Sequence, residues 1–147
     1  MIEGRIMGLD VGDVRTGVAM SDPLGIIAQA HSTIDATDPE KAADAIRDLV
    51  EKEGVIEIVV GIPLNQHGER GPQAEKVMAF VDLLRGKVSI EICTLDERFT
   101  TAGVQRSLIS AGVKRKSRKQ VVDKLAAQQI LQTHMDRRGR TAPRQDG

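Results

Sequence analysis

The sequence has no tryptophan and no tyrosine, and its phenylalanines are Phe80 and Phe99 alone. Two aromatic rings cannot build a platform on which successive bases stack, so the single-strand and RNA-recognition modules that work this way are excluded. A single cysteine, Cys93, rules out a disulfide within the chain and agrees with a reducing, cytoplasmic setting. It stands in the apolar-leaning run 88–94 and reads as a buried strand thiol rather than a nucleophile. His31, His67 and His134 are far apart, lack the spacing of a metal motif and read as surface residues. No apolar run approaches the ~20 residues of a membrane span, and the N-terminus lacks the apolar core of a secretion signal.

What is present describes a globular chain. The 147 residues, 40% apolar and 29% charged, suit one domain with a proper core. That domain is expected over residues 1–138, with 139–147 as a basic, disordered tail. The net charge is zero but polarised: residues 1–97 hold 9 Lys and Arg against 18 Asp and Glu, and residues 98–147 hold 12 against 3. A basic region of this strength points to a polyanion as partner. With few aromatics, binding should run through backbone phosphates and depend steeply on salt.

The patterning predicts three strands, then alternating helices and strands. Ile6–Leu9 reads as a strand with Asp10 at its end, Gly12 and Gly17 bracketing a tight turn, and Val18–Met20 returning. Ile26–Ile34 reads as the third strand of an antiparallel meander. Asp38 caps a helix opening on Pro39 and stopped by Gly54; Ile56–Val60 follows as an apolar strand buried on both faces. A polar loop over 61–71 leads to a helix over Pro72–Arg85 and a strand over Val88–Thr94. A helix from Thr100 or Thr101 to about Gly112 comes next. The run Lys114-Arg115-Lys116-Ser117-Arg118-Lys119 reads as a flexible basic loop, before a last helix from Lys119 to Met135 that buries Val122, Leu125, Ala126 and Ile130. The whole is an α/β mixed sheet with helices packed on it.

Four acids stand out: Asp10, the Asp96-Glu97 pair, and Asp123 on the last helix. A carboxylate embedded in an apolar strand needs compensation, and a divalent metal is one compensator; a turn cap is the other reading for Asp10. Asp123 near a helix start is also favoured by the helix dipole alone. If the sheet forms as patterned, the acids can converge, with small Ala126 and Ala127 letting the last helix approach. Converged carboxylates hold hard cations, the arrangement that hydrolyses phosphodiesters.

Gly8-Leu9-Asp10-Val11-Gly12 with Arg15-Thr16-Gly17-Val18-Ala19, Val59-Val60-Gly61-Ile62-Pro63-Leu64 with Gly68, Asp96-Glu97-Arg98-Phe99-Thr100-Thr101, and Asp123-Lys124-Leu125-Ala126-Ala127-Gln128-Gln129-Ile130-Leu131 together resemble the YqgF/RuvX family. The resemblance spans residues 5–135. It implies a ribonuclease-H-like fold, similar to that of the RuvC Holliday-junction resolvases, with a five-stranded mixed sheet in order 3-2-1-4-5. It also implies a bacterial cytoplasmic nuclease using Mg²⁺ or Mn²⁺, either a junction resolvase or the enzyme maturing the 5′ end of 16S ribosomal RNA.

Carried over by motif, Asp10, Glu97 and Asp123 would be the catalytic metal ligands, with Asp96 as fallback for Glu97. Arg15, Arg98 and Thr100 would contact phosphate, and Lys114, Arg115, Lys116, Arg118 and Lys119 would grip nucleic acid farther away. Expected partners are pre-rRNA or branched DNA, and ribosomal subunit precursors, without a membrane. A monomer is expected ahead of a homodimer, because no dimer surface is legible. A phosphotransferase of the actin and sugar-kinase type shares the opening Asp-x-Gly hairpin but needs two similar domains. A non-catalytic RNA-binding or ribosome-associated module would keep the acids only as scaffold.

Overall fold

The computed structural model describes the backbone of residues 4–99 and 116–141, and the side chains of 4–98 and 124–138. In β1 (Arg5–Val11) every residue from Ile6 to Asp10 is buried, so both faces of this strand are covered. Alternation then sorts the residues. Met7 and Leu9 join one apolar cluster, and Ile6 joins another on the opposite face.

β2 (Arg15–Ser21) returns antiparallel to β1, and β3 (Ala28–Asp35) pairs antiparallel with β2. After α1 (Pro39–Glu53), β4 (Val55–Ile62) pairs with β1 in parallel; after α2 (Pro72–Arg85), β5 (Glu91–Asp96) pairs in parallel with β4. The sheet order is β3-β2-β1-β4-β5, as the family resemblance implies. A short 3-10 turn over Glu97–Phe99 leaves β5. The last helix, α3, spans Lys116–Thr141.

Asp38 caps α1 by accepting from the backbone N–H groups of Glu40 and Lys41, and Gly54 ends it in the left-handed region at φ 68°. The apolar stripes of α1 and α2 cover the Met7 and Leu9 face through residues such as Ile46, Val77 and Leu84. Ala126, Ala127, Ile130 and Leu131 of α3 cover the other face, against Ile6, Ala19 and Val59.

Several boundaries differ from the sequence pattern. β1 runs one residue past Asp10, to Val11, and Gly17 lies inside β2, paired with Asp10 rather than bracketing the turn. The third strand starts at Ala28, because the Asp22 carboxylate accepts from the backbone N–H groups of Leu24, Ile26 and Ile27 and holds that segment as a loop. Ile26 and Ile27 are consequently exposed. β5 is displaced to Glu91–Asp96, where it runs in register with Glu57–Ile62. Lys116 to Lys119 are helical rather than a loop, consistent with the good helix propensity of Lys and Arg. The helix also runs on past Met135, through Thr141. Leu125 is exposed, lying beside the stripe 126, 127, 130, 131 that meets the sheet. The helix expected over 100–112 lies outside the described residues.

Candidate active site

Asp10 projects from the same face of β1 as Ile6, toward α3. Its neighbours across the sheet have no side chains. Gly17 is its partner on β2, and on β4 the register Leu9 to Val60 brings Gly61 alongside. The sheet is therefore bare on both sides of a carboxylate that is itself 5% exposed.

Glu97 fills half of that space. Residues 93, 95 and 97 share the α3 side of β5 and its continuation, as burial of Leu95 in the α3 cluster shows. Glu97 is 4% exposed, and its side chain lies over Gly61: a Cβ on Gly61 would come within 2.9 Å of Glu97 Oε2. The Glu97 side chain is thus admitted by the absence of a side chain at Gly61, on the strand between β1 and β5. Both carboxylates have further interaction partners.

Asp96, one residue earlier, points the opposite way. Its carboxylate accepts from Arg98 Nε at 2.9 Å and Nη2 at 2.6 Å, and from the Arg98 backbone N–H. The Arg98 guanidinium holds the Asp96 carboxyl below the usual carboxylate range. Arg98 also donates to the carbonyl of Gln66 and lies against Gly68, whose φ of 79° makes the tight turn of the 61–71 loop. Arg15 opens β2 and is half-buried.

α3 is laid close on the sheet. A Cβ on Gly8 would stand 2.7 Å from Leu131 Cβ and 2.9 Å from the Ala127 carbonyl oxygen, so only glycine admits the helix here. Gln128 donates to the Ala28 carbonyl and Gln132 accepts from the Ala28 N–H, each at 3.0 Å. Arg138 and His134 lie at Glu57, whose partner on β1 is Ile6. The helix therefore runs antiparallel to β1 and β4, and its N-terminal half lies toward Asp10 and Glu97. Backbone position 123 is one helical turn before Ala127 on that half. The side chain of Asp123 lies outside the described residues, as do Thr100, Lys114 and Arg115 entirely and the side chains of Lys116, Arg118 and Lys119.

A second polar group escaped the sequence reading. Glu57, inside the otherwise apolar β4, is buried and accepts from Arg138 Nη1 at 2.6 Å and from Cys93 Sγ at 2.9 Å. The buried Nε2 of His134, expected at the surface, lies 3.4 Å from Glu57 Oε2. Burial works against the Glu57 charge, but His134, Arg138 and Cys93 outweigh it and hold the carboxyl far below its ordinary value. Burial and the Glu57 carboxylate push the Cys93 thiol up to about 12. A glutamate at the centre of Val55–Val60 was the signal available, since a charge there demands a partner.

A cavity of about 410 Å³, lined by Val11, Thr16, Pro39, Lys76 and Phe80 among others, opens on the α1 and α2 face, away from Asp10 and Glu97. No described helix is long and apolar enough to cross a membrane.

The model of the RuvX family, described as Holliday junction resolvase, matches residues 4–137. A relative from Clostridioides difficile is 43% identical over 136 residues, covering 92% of this chain and 96% of its own. One from Moorella thermoacetica is 47% identical over 135 residues, covering 92% and 96%. Both are named "Putative pre-16S rRNA nuclease". The structure of Thermus thermophilus RuvC in complex with a Holliday junction substrate matches with a TM-score of 0.58 at 12% identity, over 95% of this chain and 98% of that one. Fowlpox virus resolvase in complex with Holliday junction DNA matches with a TM-score of 0.55 at 11% identity, over 90% and 97%. At those identities the likeness speaks for the fold, the ribonuclease-H-like mixed sheet.

Proposed function

We infer that this chain, which belongs to the RuvX family, is a metal-dependent nuclease whose site is Asp10, Glu97 and Asp123, with 5′-end maturation of pre-16S ribosomal RNA as its reaction. The observation that carries this reading is the pair Asp10 and Glu97, two buried carboxylates, one on β1 and one just past the end of β5, with the bare Gly61 of β4 between them and Gly17 on the other side of Asp10. Their donor atoms are all carboxylate oxygens, the set that suits Mg²⁺ or Mn²⁺. An ion of this class supplies Lewis-acid polarisation of the phosphodiester and activation of the attacking water. Asp10 and Glu97 would hold it from the sheet and Asp123 from α3. Asp96 is engaged by Arg98, which favours Glu97 as the second acid.

Arg15 and Thr100 would orient the scissile phosphate, and Arg98 would do so while bracing the 61–71 loop. Lys114, Arg115, Lys116, Arg118 and Lys119 would hold the flanking backbone, giving affinity without sequence preference. The nuclease domain would extend over residues 1–138 and act in the cytoplasm as a monomer on ribosomal subunit precursors. The names of the relatives favour RNA. The description of the family favours a second substrate, the four-way DNA junction, whose two symmetric cuts call for a two-fold dimer.

A gel cleavage assay with Mg²⁺ or Mn²⁺ compares a 16S precursor RNA with a four-way DNA junction, using wild type and Asp10→Asn. The expected result is cleavage of the RNA by wild type and none by the variant. Unchanged turnover in Asp10→Asn would overturn the site. Cutting of the junction alone would reassign the substrate, and binding without cutting would leave a non-catalytic RNA-binding module.

A further inference from the structure

Glu57 on β4, Cys93 on β5 and His134 on α3 come from three elements and meet at the end of the sheet opposite the candidate nuclease site. One ligand atom of each, a carboxylate oxygen, Sγ and a ring nitrogen, lie within 4.8 Å of one another. Sγ is 2.9 Å and Nε2 3.4 Å from Glu57 Oε2. Tetrahedral zinc at its usual bond lengths sets such ligands about 3.4–3.6 Å apart, so small side-chain adjustments suffice. We propose that Glu57, Cys93 and His134 form a zinc-class transition-metal site that clasps the C-terminal half of α3 to β4 and β5.

Two observations besides proximity support the site. His134 Nε2 is buried yet has no hydrogen bond among the described residues, although it lies 3.4 Å from Glu57 Oε2. A buried ring nitrogen in that condition is a ligand awaiting an acceptor of its lone pair, or a donor poorly used. Arg138 grips both oxygens of Glu57, as the hydrogen-bonding partners around a ligating carboxylate do, and its charge offsets one of the two anions. On binding, the Cys93 S–H bond breaks, its proton leaves to solvent, and a sulfur–metal bond replaces it; no electron is transferred. The donor set is sulfur, nitrogen and oxygen, so it selects a softer ion than the all-oxygen carboxylates of the nuclease site.

Cobalt distinguishes the two sites, because only a cysteine ligand gives a thiolate-to-cobalt charge-transfer band in the near ultraviolet. The full chain is stripped with chelator, kept reduced with a phosphine and titrated with Co²⁺. Wild type and Asp10→Asn should both develop the band, saturating at one site, and Zn²⁺ should bleach it. Cys93→Ser should lose it, and His134→Phe should weaken binding, with circular dichroism verifying that each is folded. Absence of the band in folded wild type, or its survival in Cys93→Ser, would overturn the proposal. Neither result bears on RNA cleavage.

Discussion

The Glu97 side chain rests on the bare backbone of Gly61, with Oε2 and Cγ both 2.9 Å from the point where a first side-chain carbon would sit. Gly61→Ala therefore cannot keep Glu97 in place. The other close atom, Ile130 Cδ1, is the tip of a flexible side chain and can swing aside. Cleavage by Gly61→Ala should fall by about 10²-fold, the penalty of roughly an ångström of misplacement, while far-ultraviolet dichroism stays native. An unaltered rate would show that Glu97 need not lie beside Asp10.

Neighbouring acids should behave differently. Glu97→Gln is expected to abolish metal-dependent cleavage without unfolding the chain. Asp96→Asn should retain most of it, because its carboxylate serves Arg98. The variant should instead speed hydrogen exchange at the amides of Asn65 to Gly68, where Arg98 touches the loop. The reverse ranking of the two cleavage rates would transfer the metal to Asp96.

The basic run offers an electrostatic test. Neutralising Lys114, Arg115, Lys116, Arg118 and Lys119 together should weaken binding to RNA and DNA alike. Each lost phosphate contact should lower the slope of log affinity against log salt by ~0.7–0.9. A slope equal to that of wild type would remove this segment from the interface.

The Glu57–Arg138 pair should govern acid stability in chelator-treated protein. Arg138→Met takes the guanidinium from a buried carboxylate; because Arg138 is itself 38% exposed and Cys93 stays bonded to Glu57, the loss should be about 1–3 kcal/mol in urea unfolding at neutral pH, less than for a fully buried pair. The native chain keeps Glu57 ionised well below its ordinary 4.5, whereas the unfolded chain takes up a proton near that value. The pair's stabilisation is thus complete above pH 4.5 and is lost as the pH falls below it. Urea midpoints between pH 6 and 3 should drop more steeply for wild type than for Arg138→Met.

Where a residue has an unmistakable local signature, its place was legible. Asp38 with Pro39, Gly54 and the apolar repeat of Ala42, Ala43, Ile46 and Val50 specify α1 without help from the rest of the chain. The small pair Ala126 and Ala127 marked where the last helix could come close, and Gly8 completes that contact from the sheet side. The parity of Asp96 and Glu97 followed from strand alternation. Positions settled by distant partners were not legible. Nothing local says that β5 starts at Glu91 rather than Val88, because register with β4 decides it. Glu57, Cys93 and His134 are 36 and more residues apart, and only the docking of α3 makes them neighbours.

That docking has a consequence for the order of synthesis. α3 follows all five strands in the chain, yet it covers Ile6, Ala19 and Val59 on the first, second and fourth of them. A nascent chain emerging N-terminus first would expose one oily side of its sheet until its last helix is made. The growing polypeptide is thus most exposed to mispairing and chaperone capture after β5 and before α3 has emerged.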